Sequence, residues 1–212
     1  MTIIHHPSDA TLAAFASGTL DEARSVVVAA HLALCAQCRN GVHAFEQAGG
    51  ALLDDVEPAV LSAGALQRAM AALGPLDIIA PAIRSEAAAG DLPAPLSHYA
   101  VGPWRWIGRG VQWRPVEVAS DVGVRVFMLK AAPGTKLPRH RHTGTEWTCV
   151  FDGAFTHALG RYGAGDFDEA DESVEHDPVV DSEYGCVCLV ALQGHIELHS
   201  WLVRLIQPFV RI

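Results

Sequence analysis

Apolar residues recur at helical spacing through the first part of the chain. Ser8 is a candidate N-cap for a first helix, and Asp21 places negative charge where a second helix is expected to begin. A third helix is expected to begin near Cys38, and a fourth to begin at Pro58 and end before Gly74. The pattern therefore predicts a bundle of four helices.

The rest of the chain lacks this helical period. Residues 78–100 contain three prolines among alanines, which is typical of a linker. Short apolar runs separated by glycine and proline turns follow, at residues 111–118, 122–129, 147–151, 184–192 and 196–206. Such runs predict a β-sandwich or barrel. We therefore expect an α+β chain of two domains, with a helical bundle over 1–77, the linker, and an all-β barrel over 101–212.

The chain of 212 residues is acidic, with a formal net charge of −9 and two lysines. Direct binding to nucleic acid is not expected, because phosphate recognition needs clustered cations. No apolar run reaches the length of about 18 residues that a membrane span needs, and no signal peptide is evident. The five cysteines do not form an even framework, which fits a compartment that keeps thiols reduced. We therefore expect a cytoplasmic protein.

A cluster of thiol and imidazole side chains lies in the helical part. His31, Cys35 and Cys38 are separated by four and then three positions, which keeps them on one side of a helix or helix junction. Two thiolates with imidazoles select zinc, and a fourth ligand from His6 or His5 would close a tetrahedral, structural site. The competing interpretation is that Cys35 and Cys38 form a redox pair.

A second cluster lies in the predicted barrel. The spacing Gly134-x5-His140-x-His142-x3-Glu146-x6-Gly153 resembles the first motif of the cupin family at every position. Alternation places His140 and His142 on one face of a strand, and Glu146 returns to the same side after a short turn. Three histidines and a glutamate suit zinc, iron, manganese or nickel.

His176 is the candidate for the third imidazole of this cluster. It follows Gly165 at the spacing of the second cupin motif, but Asp171 and Ser173 stand where that motif has proline and glycine. The second motif is therefore degraded. The alternative is that His176 is a surface histidine in an acidic loop.

Carboxylates flank His176 on both sides. They are Asp166, Asp168, Glu169, Asp171, Glu172, Glu175, Asp177, Asp181 and Glu183. This run is interpreted either as a solvated loop or as a charged surface that docks another domain or a partner.

The remaining cysteines and histidines carry weaker signals. Cys186 and Cys188 alternate along a predicted strand, so both face one side, either as buried small hydrophobes or as oxidisable thiols facing the metal cavity. Cys149 is expected in the core. No spacing signal marks the other histidines, which we interpret as structural or surface residues: His157, His195 and His199.

The helical part resembles a known family over residues 16–20, 27–32 and 35–39. This stretch is similar to the zinc-binding anti-sigma domain, and 24 residues lie between His6 and His31 as in that family. Together with the cupin motif, the chain resembles the ChrR family of anti-sigma factors over nearly its whole length. The resemblance implies that structural zinc is held by His6, His31, Cys35 and Cys38. It also implies that the barrel metal is held by His140, His142, Glu146 and His176.

The same resemblance implies a function. The helical domain is expected to inhibit an extracytoplasmic-function sigma factor, and the cupin domain to release it under oxidative stress, singlet oxygen in particular. The chain is then a transcription regulator and not an enzyme. Two other functions remain open at this stage: a metal-dependent cupin oxygenase with a helical zinc-binding appendage, and a storage or scaffold protein with two structural metals.

Overall fold

The helical part begins with side-chain caps that the sequence encodes. A computed structural model describes residues 2–73, 92–119 and 123–198. It contains the helices α1 (Asp9–Ala16), α2 (Glu22–Leu34), α3 (Ala36–Asp54) and α4 (Ala65–Ala72). The predicted cap Ser8 accepts a hydrogen bond from the Thr11 amide, and Asp21 accepts one from the Arg24 amide. None of the described helices is both long and apolar enough to cross a membrane.

The fourth helix differs from its predicted extent. It begins at Ala65, after Gly64 in the left-handed conformation, and not at Pro58. Val60 and Leu61 of the predicted first turns are 99% and 79% exposed. An apolar face that packs against nothing adds little to helix stability. The helical spacing of apolar residues therefore predicted a longer fourth helix than the structure has.

The second part of the chain is built of short antiparallel strands. They are β1 (Ala100–Val101), β2 (Arg105–Gly108), β3 (Val111–Glu117), β4 (Val124–Ala131), β5 (His140–His142), β6 (Glu146–His157), β7 (Gly160–Gly163), β8 (Phe167–Ala170), β9 (Glu175–His176), β10 (Val179–Val180), β11 (Cys186–Gln193) and β12 (Ile196–Leu198). The predicted runs correspond to β3, β4, β6, β11 and β12, and residues 199–206 of the last run lie outside the described residues.

The strands form a large and a small sheet. The large sheet has the order β1-β3-β4-β11-β6-β10, with β2 paired to β3 and both β7 and β8 paired to β6. The small sheet has the order β12-β5-β9. Residues of both sheets line one cavity, as in a cupin barrel. The predicted combination of a helical part and an all-β cupin part is confirmed.

One hydrophobic cluster continues from the helices into the barrel. Val27 of α2 and Trp147 of β6 belong to the same cluster of buried side chains. Leu96, in a 3-10 helix at Ala94–His98, is fully buried in this cluster, and this 3-10 helix packs against α2. The end of the predicted linker therefore packs as ordered structure, while residues 78–91 lie outside the described residues.

The segment that precedes α1 is also bound to the barrel, and we call residues 3–8 the N-terminal strap. Asp166 accepts hydrogen bonds from the Ile4 and His5 amides at 2.7 and 2.9 Å. The Phe167 amide donates to the His5 carbonyl at 3.1 Å, and the Ser8 amide donates to Glu169 at 2.9 Å. Part of the acidic run thus docks another segment of the chain, as one of the two interpretations proposed.

Candidate metal centres

The helical cluster brings together the four side chains that the sequence singled out. His6, His31, Cys35 and Cys38 offer ligand atoms that all lie within 4.8 Å of one another. His6 Nδ1 is 3.5 Å from Cys35 Sγ and 3.3 Å from Cys38 Sγ. His31 Nε2 is 3.2 Å from Cys38 Sγ. Zinc bonds of about 2.0–2.3 Å in a tetrahedron place neighbouring ligand atoms at about these separations.

Three elements position these ligands. His31 is in the last turn of α2, Cys35 caps α3, and Cys38 is the third residue of that helix. Cys35 Sγ accepts a hydrogen bond from the Cys38 amide at 3.5 Å, at the positive end of the α3 dipole. The fourth ligand, His6, comes from the strap, so the cluster forms where the strap and two helices meet.

The His31 ring is oriented by the barrel. Its Nδ1 lies 2.8 Å from the carbonyl oxygen of Gly165, which can only accept, so Nδ1 carries the proton and Nε2 is left free for a metal. Burial lowers the pKa of His31 to about 4, so the ring is neutral at physiological pH. Burial and the neighbouring Cys35 raise the pKa of Cys38 to about 12. A metal must therefore displace the Cys38 proton, and its affinity falls as pH falls.

The structure bears on both alternatives that the sequence left open for this cluster. His5 does not approach the thiols, because its ring stacks on Tyr162 with a centroid distance of 4.2 Å. Cys35 and Cys38 are both free and buried, with two imidazole nitrogens beside the sulfurs. Two thiols and two imidazoles at these separations match the Cys2His2 ligand set of structural zinc sites. The donor set therefore fits zinc.

The barrel cluster joins the small sheet to the start of β6. His140 and His142 are on β5, His176 is on β9 beside it, and Glu146 begins β6. The four side chains offer ligand atoms within 4.8 Å of one another. His176 is 2% exposed, so it is not the surface histidine of the alternative interpretation.

The nitrogen atoms of this cluster are arranged as metal ligands. His140 Nδ1 donates to the Pro138 carbonyl at 2.7 Å, which leaves Nε2 facing His176 Nε2 at 3.0 Å. Among the described residues, neither ring nitrogen of the buried His142 has a hydrogen-bond partner, although its Nε2 is 3.2 Å from Glu146. Burial alone would raise the pKa of Glu146, but the neighbouring histidines lower it to about 2. A carboxylate with converging imidazoles fits a divalent metal.

A cavity of about 1060 Å³ lies beside this cluster. His140, Glu146 and His176 line it, whereas His142 does not. Most of the wall is apolar, with Phe127 and Leu129 of β4 as examples, and the cavity volume is that of a small-molecule site. A small molecule in the cavity can therefore contact three of the four residues of the cluster.

The cysteines of β11 face the same cavity. Cys186 and Cys188 both line it, which settles the side that the sequence left open. A hydrogen bond with Cys186, together with burial, raises the pKa of Cys188 well above its usual value. Because the thiolate is the form that oxidises readily, this environment disfavours a fast reaction at Cys188. Cys149 is fully buried, as expected.

A third group of potential ligands adjoins the barrel cluster. His157, Asp168 and His176 also offer atoms within 4.8 Å of one another. His157 Nδ1 accepts from the Leu159 amide at 3.3 Å, so Nε2 carries the proton and donates to Asp168 at 3.1 Å. That proton occupies the position that a metal would need, so this group is a hydrogen-bonded pair. His157 was expected to be structural, and no spacing signal marked its place beside His176.

Sequence reasoning also missed two hydrogen-bond acceptors in the barrel turn, residues 163–166. Gly165 contributes its backbone carbonyl, and every residue has one, so the sequence does not single it out. Asp166 was not distinguished from the other carboxylates of the long acidic run. The glycines at 163 and 165 indicated a turn but not what the turn binds.

Comparison with known proteins agrees with this architecture. The model of the ChrR cupin-like domain family matches residues 95–196. The anti-sigma-E factor ChrR of Cereibacter sphaeroides is 41% identical over 219 residues, covering all of both chains. The chain belongs to the ChrR family of anti-sigma factors.

A solved structure extends the family assignment to the fold. The anti-sigma ChrR of Rhodobacter sphaeroides, crystallised in complex with SigE, is similar with a TM-score of 0.74 and 38% identity. The match covers 91% of this chain and 100% of that chain. The arrangement of helices and cupin barrel is therefore that of the ChrR family, whose named member is a regulator.

Proposed function

We propose that this protein binds an extracytoplasmic-function sigma factor through its helical part and holds it inactive in the cytoplasm. The observation that carries the proposal is helix α4, none of whose residues is buried. Leu66 and Met70 are 67% and 60% exposed and lie four positions apart on one face. A helix that presents an apolar face without a partner in the described chain is typical of helix-mediated protein binding.

The exposed apolar surface extends beyond α4. It includes the end of α3 and the segment between the two helices, with Leu52, Leu53, Val56, Val60 and Leu61 exposed. The similar ChrR of Rhodobacter sphaeroides was crystallised with a sigma factor, which supports this class of partner. We therefore assign the inhibitory surface to residues 52–73.

Co-purification and transcription inhibition with the full-length chain test this assignment. The variant Leu66→Asp should weaken binding to the sigma factor by about 30-fold, because a charge replaces an apolar contact at the centre of the surface. Leu159→Asp is the matched control, since Leu159 is 61% exposed but lies in the barrel part. Equal loss of binding in both variants, or in neither, would contradict the proposed surface.

For the metals, we propose zinc in the helical cluster. Its donor set and ligand separations support zinc, as described above. For the barrel cluster we propose zinc, with iron, manganese or nickel as the other metals that suit its ligands. Metal analysis of the wild type, of Cys38→Ser and of His142→Ala should assign one metal to each cluster, each variant losing one equivalent.

We further propose that the barrel is the sensing part and that oxidative stress, singlet oxygen in particular, releases the sigma factor. The cavity beside the barrel cluster supports this role, because it gives a small reactive molecule access to three of the candidate metal ligands. Release from mostly bound to mostly free needs a change in binding free energy of about 5 kcal/mol.

The purified complex provides the test of sensing. Illumination with a photosensitiser that generates singlet oxygen should dissociate the wild-type complex and leave the His140→Ala complex bound. Dissociation of both complexes at the same rate would contradict sensing through the barrel cluster.

A further inference from the structure

The ligands of the helical cluster are held by a turn of the barrel. We propose that residues 163–166 position His6 and His31, so that retention of the metal in the helices depends on the barrel. The inference rests on the proposed metal site and extends it to residues that bind no metal themselves.

The first contact acts on His31. The Gly165 carbonyl accepts from Nδ1 at 2.8 Å and thereby selects the tautomer whose Nε2 faces Cys38. Such outer acceptors fix both the tautomer and the ring orientation of a metal-bound histidine. Here the acceptor comes from a residue 134 positions away in the sequence.

The second contact acts on His6 through its backbone. Asp166 accepts from the amides of Ile4 and His5, the two residues before His6, while its other oxygen accepts from the Gly163 amide at 2.8 Å. Asp166 is 3% exposed, so these bonds are shielded from water. One carboxylate thus ties the barrel turn to the chain immediately before a metal ligand.

The shape of the turn explains why residue 165 is a glycine. Gly165 has a φ of +88°, and a Cβ there would lie 2.6 Å from Ile3 Cδ1 of the strap. A larger residue would push the strap away from the turn and strain the backbone. Both the carbonyl bond to His31 and the approach of the strap therefore depend on this position.

The aromatic contacts of the strap continue towards the other metal cluster. His5 stacks on Tyr162, which stacks on His157 at 4.9 Å, and the His157 ring meets His176 edge-on at 5.0 Å. These ring contacts therefore connect the strap to a ligand of the barrel cluster.

Cobalt substitution of the full-length protein tests the positioning role. Thiolate-to-cobalt absorption reports on the helical cluster, because the four residues of the barrel cluster include no cysteine, and the double variant Cys35→Ser, Cys38→Ser should abolish that absorption. We expect Asp166→Ala to shift the cobalt bands and to raise the rate of metal release to a chelator by about 10-fold or more. Asp166→Asn keeps an acceptor for the strap amides and should fall between Asp166→Ala and the wild type.

The control and the contrary results are distinct. Asp171→Ala removes an exposed carboxylate of the same acidic run, bonded to Ser173, and should leave bands and release rate unchanged. Wild-type bands and release rate in Asp166→Ala would overturn the proposal. If Asp166→Ala fails to fold, wild-type cobalt bands and a wild-type release rate in Asp166→Asn would overturn the proposal. A wild-type protein without thiolate absorption would instead refute the helical metal site, and neither result bears on sigma-factor binding.

Discussion

At the scale of single residues, one histidine in each cluster is oriented by a backbone carbonyl. His31 and His140 each donate their Nδ1 proton to a backbone carbonyl and direct Nε2 to the other ligands. The motif spacing predicted both rings as ligands, because it depends on positions along a helix or strand. It did not predict the carbonyls of Gly165 and Pro138, because every residue has a carbonyl and only the fold decides which one is near.

Removal of one thiol should empty the helical cluster. Cys38→Ser replaces a soft thiolate with a hydroxyl, so we expect the metal affinity to fall by more than about 100-fold, beyond the effect of losing an outer contact. The helical part should also unfold at a lower temperature, because metal binding and folding are linked. Metal analysis and thermal unfolding measure both effects. His43→Ala is the control on the same helix, with a side chain 70% exposed, and a metal-loaded Cys38→Ser protein would contradict the ligand assignment.

At the scale of elements, the sequence predicted the helices and strands whose own residues form a recognisable pattern. The candidate cap Ser8 and the negative charge at Asp21 located α1 and α2, and short apolar runs between turns located β4 and β11. The same reasoning extended α4 to Pro58, because helical period reports which residues share a face and not whether anything covers it. The division into domains at residues 78–100 stays a prediction.

Helix α4 should change its protection when the partner binds. Its eight residues are too few for a stable helix without packing, so its amides should exchange rapidly with solvent in the free protein. Binding of the sigma factor to its apolar face should slow that exchange strongly. Hydrogen exchange with mass spectrometry measures this, and Val26 to Ala30 of α2, which include buried core residues, serve as the protected reference. Equal exchange of α4 in the free and bound states would argue against a direct contact.

The junction between α2 and the barrel depends on Arg24. Its guanidinium pairs with Asp21 at 2.6 Å, donates to Thr145 at 2.9 Å, and lies over the Trp147 ring at 5.4 Å. Arg24→Ala should lower the free energy of unfolding by about 2 kcal/mol, since a charged hydrogen-bond donor and a cation–π contact are lost together. Arg139→Ala removes a more exposed ion pair and should change stability by less than about 1 kcal/mol. Chemical unfolding compares the two variants.

At the scale of the whole molecule, the two metal clusters are connected through strand β8. The Phe167 ring of β8 lies edge-on to His31 of the first cluster at 5.7 Å. The next residue, Asp168, accepts a hydrogen bond from His157, whose ring contacts His176 of the second cluster at 5.0 Å. The sequence predicted the two clusters as separate sites in separate domains. It could not show their proximity, because the strap and the turn that join them are about 160 residues apart in the chain.

This proximity predicts that the two metal sites are thermodynamically coupled. His140→Ala should empty the barrel cluster and free His176, whose ring contacts His157 and, through Tyr162, reaches the strap beside His6. We expect the metal affinity of the helical cluster to fall by about 5-fold or more, the lower end of usual coupling between sites. Coupling between two binding sites is reciprocal. Metal bound in the helical cluster should therefore raise the metal affinity of the barrel cluster by the same factor by which metal in the barrel cluster raises the affinity of the helical cluster. Val190→Ala, which changes the cavity wall without touching the ring stack, is the control. Equal metal affinities of the helical cluster in wild type and His140→Ala would show the sites to be independent.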